Sequence, residues 1–228
     1  MVGSTVGREI EIVVADDPAA VVGERLAAAA TAGGHVVLTG GSTPKLAYEI
    51  AASLQNDWTA VELWWGDERC VPPEDERSNY GMAKAALLDR VEAGPTHRMR
   101  GELGREEGAR DYERELGSLE WFDLVLLGLG PDGHVASLYP EQPSLDEVER
   151  KAVGAEAKLE PFVDRITLTL PMLRRAREVL FLVSGEDKAD AARAAFAGDP
   201  TRSTPGSLVR STGGRTTAVL DPAAAAAL

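Results

Sequence analysis

Leu124–Gly130 reads LVLLGLG, four apolar residues running into a glycine-rich stop. A run that is apolar at every position suits a strand covered on both faces, as in a parallel sheet with helices above and below. Val179–Gly185, VLFLVSG, repeats the pattern. Outward from these two, further strands are expected at Glu11–Val14, His35–Thr39, Val61–Trp65, Arg165–Leu170 and Thr217–Leu220. Helical patterns lie between them. Pro18–Ala32 is Ala-rich and stops at Gly33-Gly34. Pro44–Leu54 sets Ala47, Ile50, Ala51 and Leu54 on one face. Ser78–Asp89, Glu106–Leu116 and Asp187–Phe196 also read as helices. This alternation predicts an α/β fold, a central mostly parallel sheet flanked by helices in three Rossmann-like layers. Ligands then belong at the carboxyl ends of the strands.

The remaining chain is less patterned. Glu141–Leu159 is charged and is expected to form a surface excursion. The C-terminal PAAAAAL is expected to be a short helix or a frayed tail without chemistry. There is no internal repeat and no composition break, so residues 1–228 are expected to form a single domain.

The chain has 228 residues, 44% hydrophobic and 27% charged, which excludes disorder as the dominant state. Lys and Arg number 24 against 37 Asp and Glu, a net charge of −13. That balance disfavours nucleic acid and anionic membranes as partners. Cys70 is the only cysteine, so no intrachain disulfide can form, which fits a reducing compartment. The N-terminal MVGSTVGREIEIVVADDP lacks a basic segment followed by an apolar run, so no secretory signal is expected. No stretch reaches the roughly 18 apolar residues that span a bilayer. A soluble, cytoplasmic protein is expected.

Four strand ends carry residues of chemical interest. In Leu38–Pro44, Gly40 and Gly41 permit unusual backbone angles and close approach by a ligand. Ser42 or Thr43 can cap the following helix, and Pro44 suits its first position. The positive helix end and its free amides suit a phosphate, although a plain capped helix after a tight turn reads the same way. In Trp64–Arg69, Asp67 and Glu68 beside Arg69 fit an acid–base pair with an anion clamp, or else a solvated charged turn. In Gly128–Pro140, a turn of three glycines carries Asp132 and His134. Histidine titrates nearest neutrality, so His134 can accept and return a proton, with Asp132 orienting it. In Ser184–Lys188, a lysine in a helix's first turn opposes the dipole, which suggests an anion to hold. A surface lysine accounts for it equally well. His35 begins a strand and His97 lies in a polar loop, so both are weaker candidates.

These segments together resemble the 6-phosphogluconolactonase family, sister to the glucosamine-6-phosphate deaminases. The resemblance rests on TGGSTP at 39–44, WWGDERCVP at 64–72, SNYGMAKAALL at 78–88, LGLGPDGHVASLYP at 127–140, SGEDKA at 184–189 and RSTPGSLV at 202–209. It implies a sugar-phosphate isomerase type of fold and hydrolysis of 6-phospho-D-glucono-1,5-lactone, without metal or organic cofactor. It implies a small sugar-phosphate substrate and a place in the oxidative pentose phosphate pathway; a monomer or small homo-oligomer is expected. The family's catalytic histidine falls on His134, the neighbouring acid on Asp132 and the active-site arginine on Arg69. Its phosphate-handling positions fall on Gly41, Ser42, Thr43 and Lys188, with Gly40 beside them. The deaminases carry a Glu five residues after the histidine, where this chain has Tyr139. Their general base corresponds to Asp67, which is present. The lactonase is therefore favoured over the deaminase, and over a non-catalytic sugar-phosphate sensor, which would need no general base.

Overall fold

Leu124–Leu127 and Val179–Val183 lie side by side in a seven-stranded parallel sheet, with Val179 opposite Val125 and Phe181 opposite Leu127. Val125, Leu126, Leu127, Val179, Leu180 and Phe181 are fully buried. Removing each such side chain from water contributes about 1.5–3 kcal/mol, so this pair of strands anchors the core.

The computed structural model describes residues 9–158 and 160–228. The first half runs β1 (Glu11–Val14), α1 (Pro18–Ala32), β2 (Gly34–Leu38), α2 (Ser42–Leu54), β3 (Asp57–Trp58), β4 (Val61–Trp65), β5 (Asp67–Arg69), α3 (Asn79–Ala86), β6 (Glu92–Ala93) and β7 (Thr96–His97). The second half runs α4 (Arg105–Leu116), β8 (Phe122–Leu127), β9 (Ala152–Ala155), β10 (Arg165–Leu168), α5 (Leu170–Arg174), β11 (Ala176–Val183), α6 (Ala189–Phe196) and β12 (Arg215–Leu220). Residues 1–8, where the N-terminal stretch expected to lack a secretory signal begins, and Leu159, at the end of the expected excursion, lie outside the described residues. Among the described residues no helix is long and apolar enough to cross a membrane.

The large sheet has the order β1-β12-β11-β8-β2-β4-β7, every pair parallel. The chain crosses it one way through β1, β2 and β4, and the other way through β8, β11 and β12. Parallel crossovers are right-handed almost without exception, which puts α1 and α2 on one face and α4 and α6 on the other. The direction reverses between β2 and β8. A crevice opens at such a reversal, beyond the carboxyl ends of the two strands.

Several local expectations are corrected. Arg165–Leu170 was expected as one strand, but it ends at Leu168 and Leu170 starts α5. It joins an antiparallel three-stranded sheet, β5-β10-β9, rather than the large one. Two of that sheet's strands were not expected. β5 is the charged Asp67-Glu68-Arg69, and β9 lies inside the excursion. The helix expected from Asp187 begins at Ala189, after a 3-10 turn over Glu186–Lys188. The helix expected over Ser78–Asp89 is shorter, Asn79–Ala86, with Ser78 as its cap and a 3-10 turn at Leu88–Arg90. The C-terminal residues form turns, with Ala224 buried. Gly66 joins the two sheets: its N–H donates to Leu38 O at 2.9 Å, and its carbonyl accepts from Leu168 N–H at 2.8 Å.

Candidate active site

A cleft of about 210 Å³ lies at the reversal between β2 and β8. Gly40, Gly41, Asp67, Arg69, His134 and Lys188 all line it, although they come from four separate strand ends. Thr39, Asn79, the Gly128–Pro131 turn and Ala136 complete the wall. Ser42, Thr43 and Asp132 are not on its lining.

His134 owes its place to the turn that follows β8. Gly130 N–H donates to His134 O at 2.9 Å, and Gly133 N–H to Gly130 O at 2.9 Å. Gly133 takes φ 82°, in the left-handed region that favours glycine. Asp132 sits behind the ring, with its Oδ1 2.5 Å from His134 Nδ1, and accepts the His134 backbone N–H at 3.1 Å. A carboxylate only accepts, so Nδ1 carries a proton, and in the neutral ring it is Nε2 that has the lone pair. Burial pulls the Asp132 carboxyl up, but the bonds from His134 outweigh it and hold it below the usual range. Ala136, also on the wall, takes φ 48°, a strained angle for a residue with a Cβ. Tyr139, standing where the deaminases have Glu, is buried with its ring 4.9 Å from that of His134.

The Trp64–Arg69 segment is no solvated turn. Trp64, Trp65, Asp67 and Glu68 are buried. Asp67 Oδ2 accepts from Ser137 Oγ at 2.7 Å, and Oδ1 accepts from Asn79 Nδ2 at 3.1 Å. Glu68 faces the other way and has a structural task. It accepts from the backbone N–H groups of Arg69, Asn79 and Tyr80 at 2.7–2.8 Å, and from Ser78 Oγ at 2.9 Å. Arg69 Nη1 donates to Arg77 O at 2.5 Å, which steadies the guanidinium at the cleft wall. Cys70 is half-buried, and burial pushes its thiol up to about 11, too high for a nucleophile at neutral pH.

At the end of β2, Gly41 is the residue before α2 and takes φ 116°. Neither Ser42 nor Thr43 caps the helix; both lie inside its first turn, and Pro44 is third rather than first. The first amides of α2 therefore have no side-chain acceptor, and the helix's positive end faces the cleft. Gly40 has no room for a Cβ, which would lie 2.0 Å from Asn79 Oδ1. Lys188 approaches across β8, paired with Asp187 at 3.2 Å.

Asn79 and Ser137 went unnoticed in the sequence, because they reach Asp67 across 12 and 70 residues. The two other histidines lie off the cleft. The His97 ring stacks on Trp64 at 3.9 Å between Glu62 and Glu115. His35 accepts from Trp64 Nε1 at 3.2 Å. Among the described residues no group of three or more His, Cys, Asp and Glu side chains is set to hold a metal ion.

A proton acceptor held by a carboxylate, facing a guanidinium across a cleft with a cationic, amide-rich end, can add water to an activated carbonyl of an anionic ligand. Comparison with known proteins agrees in kind. Residues 11–218 match the family described as glucosamine-6-phosphate isomerases/6-phosphogluconolactonase. A 6-phosphogluconolactonase of Streptomyces coelicolor is 41% identical over 213 residues, covering 85% of this chain and 81% of the relative. The solved 6-phosphogluconolactonase of Trypanosoma cruzi superposes with a TM-score of 0.86 at 27% identity, over 98% of each chain. A monomeric glucosamine-6-phosphate deaminase superposes nearly as well, TM-score 0.85 over 96% of this chain and all of its own, but at 17% identity it shares the fold alone. The chain belongs to the glucosamine-6-phosphate isomerase/6-phosphogluconolactonase family.

Proposed function

We propose that the protein hydrolyses 6-phospho-D-glucono-1,5-lactone to 6-phospho-D-gluconate, in the oxidative pentose phosphate pathway, with His134 as general base. The observation that carries this reading is the Asp132–His134 pair opening on the same cleft as Arg69, Gly41 and Lys188. The phosphate rests on the amides that open α2, at Gly41, Ser42 and Thr43, with Gly40 giving clearance and Lys188 adding charge. The lactone ring then lies toward Arg69 and Asp67.

In the first step His134 Nε2 takes a proton from water as the water oxygen bonds to C1, and the carbonyl electrons move onto oxygen. Arg69 stabilises that oxyanion, and Asp132 stabilises the imidazolium. The carbonyl then re-forms, the bond from C1 to the ring oxygen breaks, and His134 returns its proton to that oxygen. Asp67 faces the sugar, and its two oxygens keep room for a substrate hydroxyl. Tyr139 at the position of the deaminase Glu supports the lactonase over the aminosugar reaction.

The test is the purified protein on fresh phosphogluconolactone and on glucosamine 6-phosphate, side by side. Hydrolysis well above the spontaneous rate, with little aminosugar turnover, is expected. His134→Ala is expected to lose about 10²–10⁴-fold in kcat. A loss below tenfold rejects the general-base role. A wild-type rate no faster than buffer alone would leave a sugar-phosphate binding protein instead.

A further inference from the structure

The β2–β4 ladder ends at the pair Leu38 and Trp65, and the β4–β7 ladder ends at Trp64 and His97. Thr39 lies one residue past the last pair of β2, and Trp65 one past the last β4–β7 pair. Thr39 has passed the end of the β2–β4 ladder, and Trp65, still paired with Leu38 on one side, has run past the end of β7 on the other, each just before the chain reaches the cleft. Backbone groups buried there need other partners.

Two tyrosines supply them in the same manner. Tyr48 Oη accepts Thr39 N–H at 2.9 Å and donates to Thr39 O at 2.7 Å. Tyr112 Oη accepts Trp65 N–H at 2.9 Å and donates to Trp65 O at 3.2 Å. Each hydroxyl uses its proton and a lone pair on both polar groups of one residue. Tyr48 comes from α2 and Tyr112 from α4, and both are fully buried. The residue after Thr39 is Gly40, which opens the anion-facing turn. The residues after Trp65 are Gly66, Asp67, Glu68 and Arg69.

We propose that Tyr48 and Tyr112 are positioning residues with divided duties: Tyr48 sets the Gly40–Gly41 turn that grips the phosphate, and Tyr112 sets the segment that aims Asp67 and Arg69 at the reacting ring. This rests on the lactonase reading above. Displacing a group by about an ångström can cost as much as a hundredfold, so small shifts of these strand ends register in kinetics. A tyrosine that only fills core space would change stability and leave the two kinetic constants moving together.

The test compares Tyr48→Phe with Tyr112→Phe, each keeping the ring and losing one hydroxyl. Tyr48→Phe is expected to raise both KM and the Kd for inorganic phosphate by about tenfold, with kcat within about twofold of wild type. Tyr112→Phe is expected to lower kcat by about tenfold, with the phosphate Kd within about twofold. The same effect in both variants, or none in either, overturns the division, as does a wild type that binds no phosphate by calorimetry. Phosphate affinity is measured without the lactone, so a protein that binds phosphate but does not hydrolyse lactone fails the functional reading alone. Should a Phe variant not fold, the wild type decides. Saturating inorganic phosphate is expected to slow amide exchange at Thr39 more than at Trp65, and equal slowing overturns the proposal.

Discussion

Gly130 shows how closely the Asp132–His134 pair is packed. A Cβ there would lie 2.0 Å from His134 Nδ1 and 2.7 Å from Asp132 Oδ1, so the turn closes on the imidazole only with glycine. The same proximity gives Asp132 a readable signature. Burial raises its carboxyl, and the His134 bonds more than reverse that, so it stays ionised to lower pH in the folded chain than in the unfolded one. A carboxyl lowered in this way adds stability above the ordinary carboxylate range, near pH 4, and loses it as pH falls through the lowered value. The melting difference between wild type and Asp132→Asn is therefore expected to be present above about pH 4 and to shrink below it. A difference that grows as pH falls below about 4 contradicts the assignment. The kcat of Asp132→Asn at neutral pH is expected to fall as well, because the imidazolium loses its counter-charge.

Among the elements, α3 depends on a residue outside itself. Burial pushes the Glu68 carboxyl up, but three backbone N–H groups and Ser78 Oγ point at it, and two of those amides open the helix. Glu68→Gln keeps the volume and turns one acceptor oxygen into a donor. It is expected to cost about 1–3 kcal/mol in urea unfolding, with phosphate affinity nearly unchanged. The same segment shows where sequence reading stops. β1, α1 and β4 were legible to the residue, because a short stretch rich in Ile, Val, Leu and Trp, or a Pro start and Gly stop, marks each one. Asp67-Glu68-Arg69 read as an acid–base pair with an anion clamp or a solvated charged turn, and not as a buried strand, because the contacts of Asp67 with Ser137 and Asn79 are not revealed by local pattern. β9 was hidden in a charged stretch, since Ala152 and Val153 are too few to set a period. The glycine turns, His134 and Lys188 stood out as candidates because their residue types are restricted by backbone angle or chemistry, and all of them line one cleft. The tyrosine clamps were not, because a buried Tyr in a helix looks like any core residue until its hydroxyl is located.

For the whole molecule, charge and site pull in opposite directions. The net charge of −13 repels a phosphorylated sugar at long range. On the proposed function, capture therefore depends on what lines the cleft, chiefly Lys188, Arg69 and the start of α2. Inorganic phosphate is expected to stabilise the fold by mass action, by about 2.7 kcal/mol at a hundred times its Kd. For a chain of this size that raises the melting midpoint by about 5–11 °C. Lys188→Ala is expected to need far more phosphate for the same rise, and to raise KM with little change in kcat. A midpoint indifferent to phosphate in the wild type would show that the cleft does not take an anion.

Gly66 spends its two backbone groups on two different sheets, its amide on Leu38 and its carbonyl on Leu168. A proline there would have no N–H to give Leu38, and would cut the tie between the parallel sheet and β5, the strand that carries Asp67 and Arg69.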